Sequence, residues 1–226
     1  MTRLFRTLGT LLIVLGLGTL VWAFAVWRWE DPFTSLYTAY EQRGLSSGLD
    51  ERFASYTPTV EQPETLDPAD LAVVARRYRG ETETGEGIGR IDVPRLGLRM
   101  VLVYGTDAET LKRGPGLDPR TFFPGQNRLV YVAGHRTTYS APFSDIESLR
   151  RGDVIHVEMP YGTFTYTVTG SRIVAGDNLS VLTSKRFEQI ALQACHPRFF
   201  ASHRWITYGR LTNVVPPAGD GNSATR

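Results

Sequence analysis

The sequence predicts a mainly β fold: an eight-stranded, closed or nearly closed barrel with short helices, behind one N-terminal transmembrane helix and a stalk. Three observations predict it. A run of 20 residues near the N-terminus carries no charged side chain. A segment rich in Pro, Glu and Thr follows, and from Ile88 onward short apolar runs alternate with Pro and Gly turns over about 130 residues.

The uncharged run is "LGTLLIVLGLGTLVWAFAVW", Leu8 to Trp27. About 20 apolar residues are what a helix needs to cross a bilayer with its backbone polar groups satisfied internally. Arg3 and Arg6 precede the run, while Glu30 and Asp31 follow Arg28. Positive charge on the near side predicts a cytoplasmic N-terminus, a single span in the cell membrane within residues 1–30, and an exported body. Trp22, Trp27 and Trp29 gather at the outer end, where amphipathic rings favour the interface. Ala23-Phe24-Ala25 also resembles a signal-peptide cleavage site. The apolar run continues past that site, which favours an anchor; export follows on either reading.

Residues 31–84 read as an extracellular stalk. The stretch "TPTVEQPETLDPAD" offers little apolar surface to bury. Asp67-Pro68, then "ADLAVVARRYRG", supplies an N-cap, a proline at the first helical position and Gly80 at the end, so one short helix is expected there. "ETETGEGIG" reads as a flexible linker into a packed domain at 85–214.

In that domain "GRIDVPRL", "RMVLVYG" and "RLVYVAGHR" read as strands. "DVIHVEM", the turn "PYG" and "TFTYTVTGSRIV" read as a hairpin in which Thr163, Thr165, Thr167 and Thr169 alternate with Phe164, Tyr166 and Val168. "FEQIALQACHP" and "RWITYGRLTNV" supply the last two strands, and "SAPFSDIESLRRGD" and "NLSVLTSKRF" short helical or turn connections. The tail 215–226 has a disordered composition.

A formal net charge of +2 gives no field that would draw nucleic acid. Lys112 and Lys185 are the only lysines, the other basic residues being arginine. The one cysteine is more informative. Cys195 sits in "LQACHPRFFASHRWI" with His196, His203, Arg198 and Arg204 close by in sequence. Exported cysteines usually pair, and this one has no partner in the chain, so it is either an inert packing thiol or a nucleophile.

On an ideal pleat Cys195 shares a face with Gln193 and Ala191, whereas His196 turns the other way with Ala194 and Leu192. His196 is therefore a poor base, and His156 within "VIHVEM" reads as structural or surface. His203 lies at the same loop–strand junction as Arg204. His135 ends the strand "LVYVAGH", where a glycine leaves room for close approach and "RTTYSAPF" can line a cleft. A solvated histidine at the barrel rim is the alternative.

Together His135, Cys195 and Arg204 match what acyl transfer through sulfur requires. These are a thiolate, a proton donor for the departing amine, and a fixed cationic fork for the oxyanion or substrate carbonyl. No acidic residue accompanies the Cys or the His, so an incompletely formed ion pair and slow turnover are expected. No cofactor is expected, and a metal site from Cys195, His196 and His203 lacks a second close ligand pair.

With "LKRGPG", "AGHRTTYSAPF" and "ALQACHPRFFASHRWI", residues 86–214 resemble the sortase family, cysteine transpeptidases of Gram-positive cell surfaces, and most closely its class E branch of actinobacteria. The resemblance implies a sortase-type barrel with His135 as general acid/base, Cys195 as acyl-thioester nucleophile and Arg204 as substrate and oxyanion ligand. Gln193, Ala194 and Thr138 are then the candidate substrate contacts. It implies cleavage of an LPxTG-like or LAxTG-like signal between Thr and Gly, on surface proteins carrying a C-terminal sorting signal. The acceptor would be an amine of a peptidoglycan precursor or of a pilin. Where the family usually has Thr-Leu-x-Thr-Cys, this chain has Ala191-Leu192-Gln193-Ala194-Cys195, and Leu117-Asp118 stands where an aromatic tends to follow the Gly-Pro-Gly turn. Loss of both hydroxyls leaves a second reading open, a weak or inactive membrane-tethered binding module.

Overall fold

A computed structural model describes residues 2–28, 32–56 and 67–217; the proline-rich part of the expected stalk and the end of the tail lie outside them. Helices α1 (Thr2–Arg28), α2 (Pro32–Ser55) and α3 (Pro68–Gly80) precede the barrel. Its strands are β1 (Gly87–Val93), β2 (Leu98–Tyr104), β3 (Gly116–Leu117), β4 (Leu129–Ala133), β5 (Val154–Met159), β6 (Gly162–Ala175), β7 (Gln189–His196) and β8 (His203–Val215). A short helix, α4 (Ala108–Arg113), lies between β2 and β3. The barrel closes in the order β1-β2-β3-β4-β7-β8-β6-β5. Eight strands close a barrel just wide enough for side chains to fill, and closure gives each strand a neighbour on both sides over at least part of its length.

Alternation explains the core. Ile155, Val157 and Met159 of β5, with Phe164, Tyr166 and Val168 of β6, point inward and are almost fully buried. The β6 threonines face out, as the sequence pattern predicts. Strands β4 and β7 run parallel, with Leu129 opposite Gln189 and Ala133 opposite Gln193. Every residue of β4 is buried. Val130, Val132, Ile190 and Leu192 join the interior, while Leu129, Tyr131 and Ala191 form a second cluster outside with Ile206 and Val181. A parallel pair covered on both faces reads as a continuous apolar run, which "LVYVA" and "IAL" are.

The predicted short helix is α3: Asp67 caps it by accepting from the Ala69 N–H at 2.8 Å, with Pro68 in the first turn. Over Pro32–Ser55 the structure differs from an unpacked stalk. Helix α2 lies against the barrel, where Leu45 and Leu49 pack with Val101 and Val103. Gln42 pairs with the outer side of β2 like a short strand, accepting from the Val101 N–H at 2.7 Å and donating to the carbonyls of Arg113 (2.7 Å) and Val101 (3.2 Å). Buried Thr38 donates to the Lys112 carbonyl at 2.7 Å. The docking face is thus largely polar, and Gly44 and Gly48 dilute its apolar repeat.

Helix α1 includes 22 residues, Arg3–Phe24, long and apolar enough to cross a membrane, and none of its best window is buried against the protein.

Candidate active site

Strand register decides which residues can meet. Cys195 pairs directly with Arg204 across β7 and β8. On the other side of β7, Ala133 pairs with Gln193, and the Gly134 N–H extends the ladder by donating to the Gln193 carbonyl at 3.0 Å. His135 and Cys195 each lie two residues beyond that pair, so His135, Cys195 and Arg204 stand at the same end of three adjoining strands. The glycine before His135 has a steric reason. A Cβ at Gly134 would meet the Phe143 ring at 2.7 Å.

Cys195 is half-buried on the outer face with Gln193, and the Tyr131 hydroxyl donates to Gln193 Oε1 at 3.4 Å. His196 points inward, its ring 5.7 Å from that of Trp205. Cysteine and histidine therefore leave the strand on opposite faces, as the pleat predicts. His156 pairs with the Thr165 hydroxyl at 3.1 Å and His203 with Ser202 at 2.9 Å, the latter exposed.

The imidazole of His135 lies 5.1 Å from the Tyr139 ring, and its Nε2 is buried with no hydrogen-bond partner among the described residues. Burial holds its pKa below the ordinary histidine value. The neutral ring is thus favoured near pH 7, consistent with the absence of an orienting carboxylate in the sequence motif.

The loop after His135 is strained. Tyr139, Ser140 and Ala141 all take left-handed backbone angles, with φ of 53°, 57° and 33°. Such conformations cost about 1 kcal/mol or more each for residues bearing a Cβ. Helix α2 holds two of them. The Tyr139 N–H donates to Thr34 Oγ1 at 2.9 Å, and the Ser140 hydroxyl donates to the Ser35 carbonyl at 3.3 Å. Thr138 accepts from the Ala141 N–H at 2.9 Å through its carbonyl and is half-buried in this loop.

Arg204 is half-buried and donates through Nη1 to the carbonyls of Ala201 (2.6 Å) and His203 (2.9 Å). No carboxylate pairs with it among the described residues.

Ala194 turns its methyl into the barrel core, away from the surface that carries Cys195, so the expected substrate contact at this position would fall to its backbone. Ala191 is also fully buried, under the outer cluster. A threonine at either position would place its hydroxyl within a packed cluster and not on the exposed surface beside Cys195.

Sequence reasoning missed Arg136. Its guanidinium is buried and donates to the Cys195 carbonyl at 3.2 Å, meets His196 Nδ1 at 3.0 Å, and pairs with Glu147 at 2.5 Å. It ties the end of β4 to the end of β7. In the sequence it is one more arginine beside a histidine, and only the fold reveals its partners.

The family model described as "Sortase domain" matches residues 91–212. Among curated proteins, Sortase D of Bacillus subtilis (strain 168) is 32% identical over 132 residues, covering 57% of this chain and 65% of that protein. The chain thus spans just under two thirds of that relative's length. A Clostridium perfringens Sortase D5 transpeptidase shares the fold with a TM-score of 0.63 at 21% identity, over 77% of this chain and 99% of that one. Sortase E1 from Streptomyces coelicolor, solved with a tripeptide in its active site, is 27% identical with a TM-score of 0.54, over 58% of this chain and 91% of that one. The family match begins in β1 and ends in β8 and so takes in the whole barrel: the chain belongs to the sortase family.

Proposed function

We propose that this chain is a membrane-anchored cysteine transpeptidase that cleaves an LPxTG-like or LAxTG-like sorting signal and passes the acyl group to an amine. The observation that carries the reading is the register that sets Arg204 opposite Cys195 and His135 at the end of the neighbouring parallel strand.

In this reading the Cys195 thiolate attacks the carbonyl carbon of the Thr–Gly bond. Arg204 faces the oxygen that gains charge, its guanidinium carrying no competing carboxylate. His135 gives its proton to the glycine nitrogen as the C–N bond breaks, leaving a thioester on Cys195. An incoming amine of a peptidoglycan precursor or a pilin then attacks the thioester. Its proton passes to His135 and the thiolate leaves. Because burial favours neutral His135, the imidazolium that gives up this proton is the less populated form of the ring near pH 7. Gln193 and the Thr138 loop flank the peptide. α1 anchors the chain with its N-terminus in the cytoplasm.

The binding-module reading drew on the two alanines, and both lie buried. The test is to incubate the full chain in detergent micelles with sorting-signal peptides and an amine acceptor, following intact mass. An acyl adduct on Cys195, absent in Cys195→Ala, together with amine-capped product, is expected. Transfer that persists in Cys195→Ala, or no adduct with any peptide, refutes the reading.

A further inference from the structure

A second concavity lies on the outer wall of the barrel, with a volume of about 650 Å³, floored by β6, β7 and β8 and walled by the β6–β7 connection. Its lining includes Arg172, Lys185 and Arg210 and no Asp or Glu. Lys185 and Arg210 both lie against one ring, Phe187, at 5.5 and 4.8 Å from its centroid. Arg172 lies 5.3 Å from the Tyr208 centroid, and its Nε donates to the Tyr208 hydroxyl at 3.0 Å. That hydroxyl accepts there, so its proton remains for a ligand.

Cations elsewhere on the barrel divide into two sets: among the described residues Arg99, Arg128 and Arg204 have no carboxylate partner, while others are paired. Arg90, Arg95, Arg113, Arg120, Arg136 and Arg198 each have a carboxylate partner. Among the described residues Arg172, Lys185 and Arg210 have none within ion-pair distance. Three like charges in one concavity, two sharing a ring, repel one another until an anion arrives. Arg210 stands opposite Thr167, five residues before Arg172 on β6, so the cations attach on the order of 15 Å apart along the strand. That spread suits a chain of phosphates better than a single one. Tyr208 pairs with Ala191, four residues before Cys195, which puts the groove about 13 Å down the strands from the thiol.

We infer that this groove binds a phosphate chain, of polyphosphate or phosphodiester type, through Arg172, Lys185, Arg210 and the Tyr208 hydroxyl. The site is separate from the thiol and does not depend on the catalytic reading.

The test uses the full chain in nanodiscs of neutral phosphatidylcholine, titrated calorimetrically with sodium tripolyphosphate at 150 mM and 500 mM salt. Saturable binding that weakens with salt is expected. The triple variant Arg172→Gln, Lys185→Gln, Arg210→Gln should weaken it at least about tenfold. Its melting temperature and thioester formation should stay unchanged. A control that removes equal charge, Arg43→Gln, Arg76→Gln, Arg99→Gln, should bind as the parent does. No binding by the parent, or equal losses in triple variant and control, overturns the inference. In nanodiscs of phosphatidylglycerol, loss of probe binding assigns the groove to lipid headgroups, and retained binding assigns it to soluble phosphate chains.

Discussion

Two arginines flank Cys195, and they live in opposite environments. Arg136 is buried and its charge is committed: Glu147 neutralises it, and the Cys195 carbonyl and His196 take other donors. Arg204 is half-buried, with only backbone carbonyls for partners. A carbonyl can orient a guanidinium without cancelling its charge, so the Arg204 cation is held in place but not neutralised. One arginine is neutralised inside the fold, and the other carries a charge that no carboxylate among the described residues offsets.

That contrast can be broken from either side. The largest effect is expected at Arg204. Arg204→Ala should lower kcat/KM for peptide cleavage by about 10²–10³-fold while moving the melting temperature little. Arg204→Lys should recover only a small part, because a point charge does not replace a fork of donors. Large destabilisation in Arg204→Ala would erase the distinction. Next comes Arg136→Met, which leaves buried acceptors unpaired at both strand ends. About 3 kcal/mol of unfolding free energy should be lost in denaturant titration. A variant as stable as the parent would mean the buried network adds nothing.

A smaller effect sharpens the view of the loop beside the site. Thr34→Val removes the acceptor for the Tyr139 N–H and should cost about 1 kcal/mol of stability, with a fall in turnover larger than any change in KM. The smallest effect is a pH dependence. His135 has a folded pKa below its unfolded value, so the unfolded chain takes up the proton first as pH falls. Its contribution to stability is present above about pH 6.5 and is lost as pH drops from there through the depressed folded value. His135→Gln should flatten that portion of a melting-temperature series, and an unchanged slope would show that burial of the ring is not what sets it.

The barrel was legible because its alternation is plain: Thr163 to Thr169 outward, Phe164 to Val168 inward, and continuous apolar runs in β4 and β7 covered on both faces. His135, Cys195 and Arg204 could be placed at strand ends from the same periodicity. Helix α2 was not legible, since its docking face relies on Thr38 and Gln42 and its apolar positions are spaced among glycines. Arg136 escaped because a charged residue after a candidate base reads as solvent-facing, and only the pairing of β4 with β7 brings its partners within reach. Ala194 shows the opposite limit: it was expected beside the substrate with Cys195, and the pleat sends its methyl into the core.

Three residues separate α1 from α2, and the first turns of α2 are bonded to Tyr139 and Ser140. A pull on the polypeptide from its N-terminal helix would load those two bonds before any barrel strand. The segment carrying His135 is therefore the first part of the barrel domain to feel tension, and a load on α1 would act on that imidazole before it reached the rest of the fold.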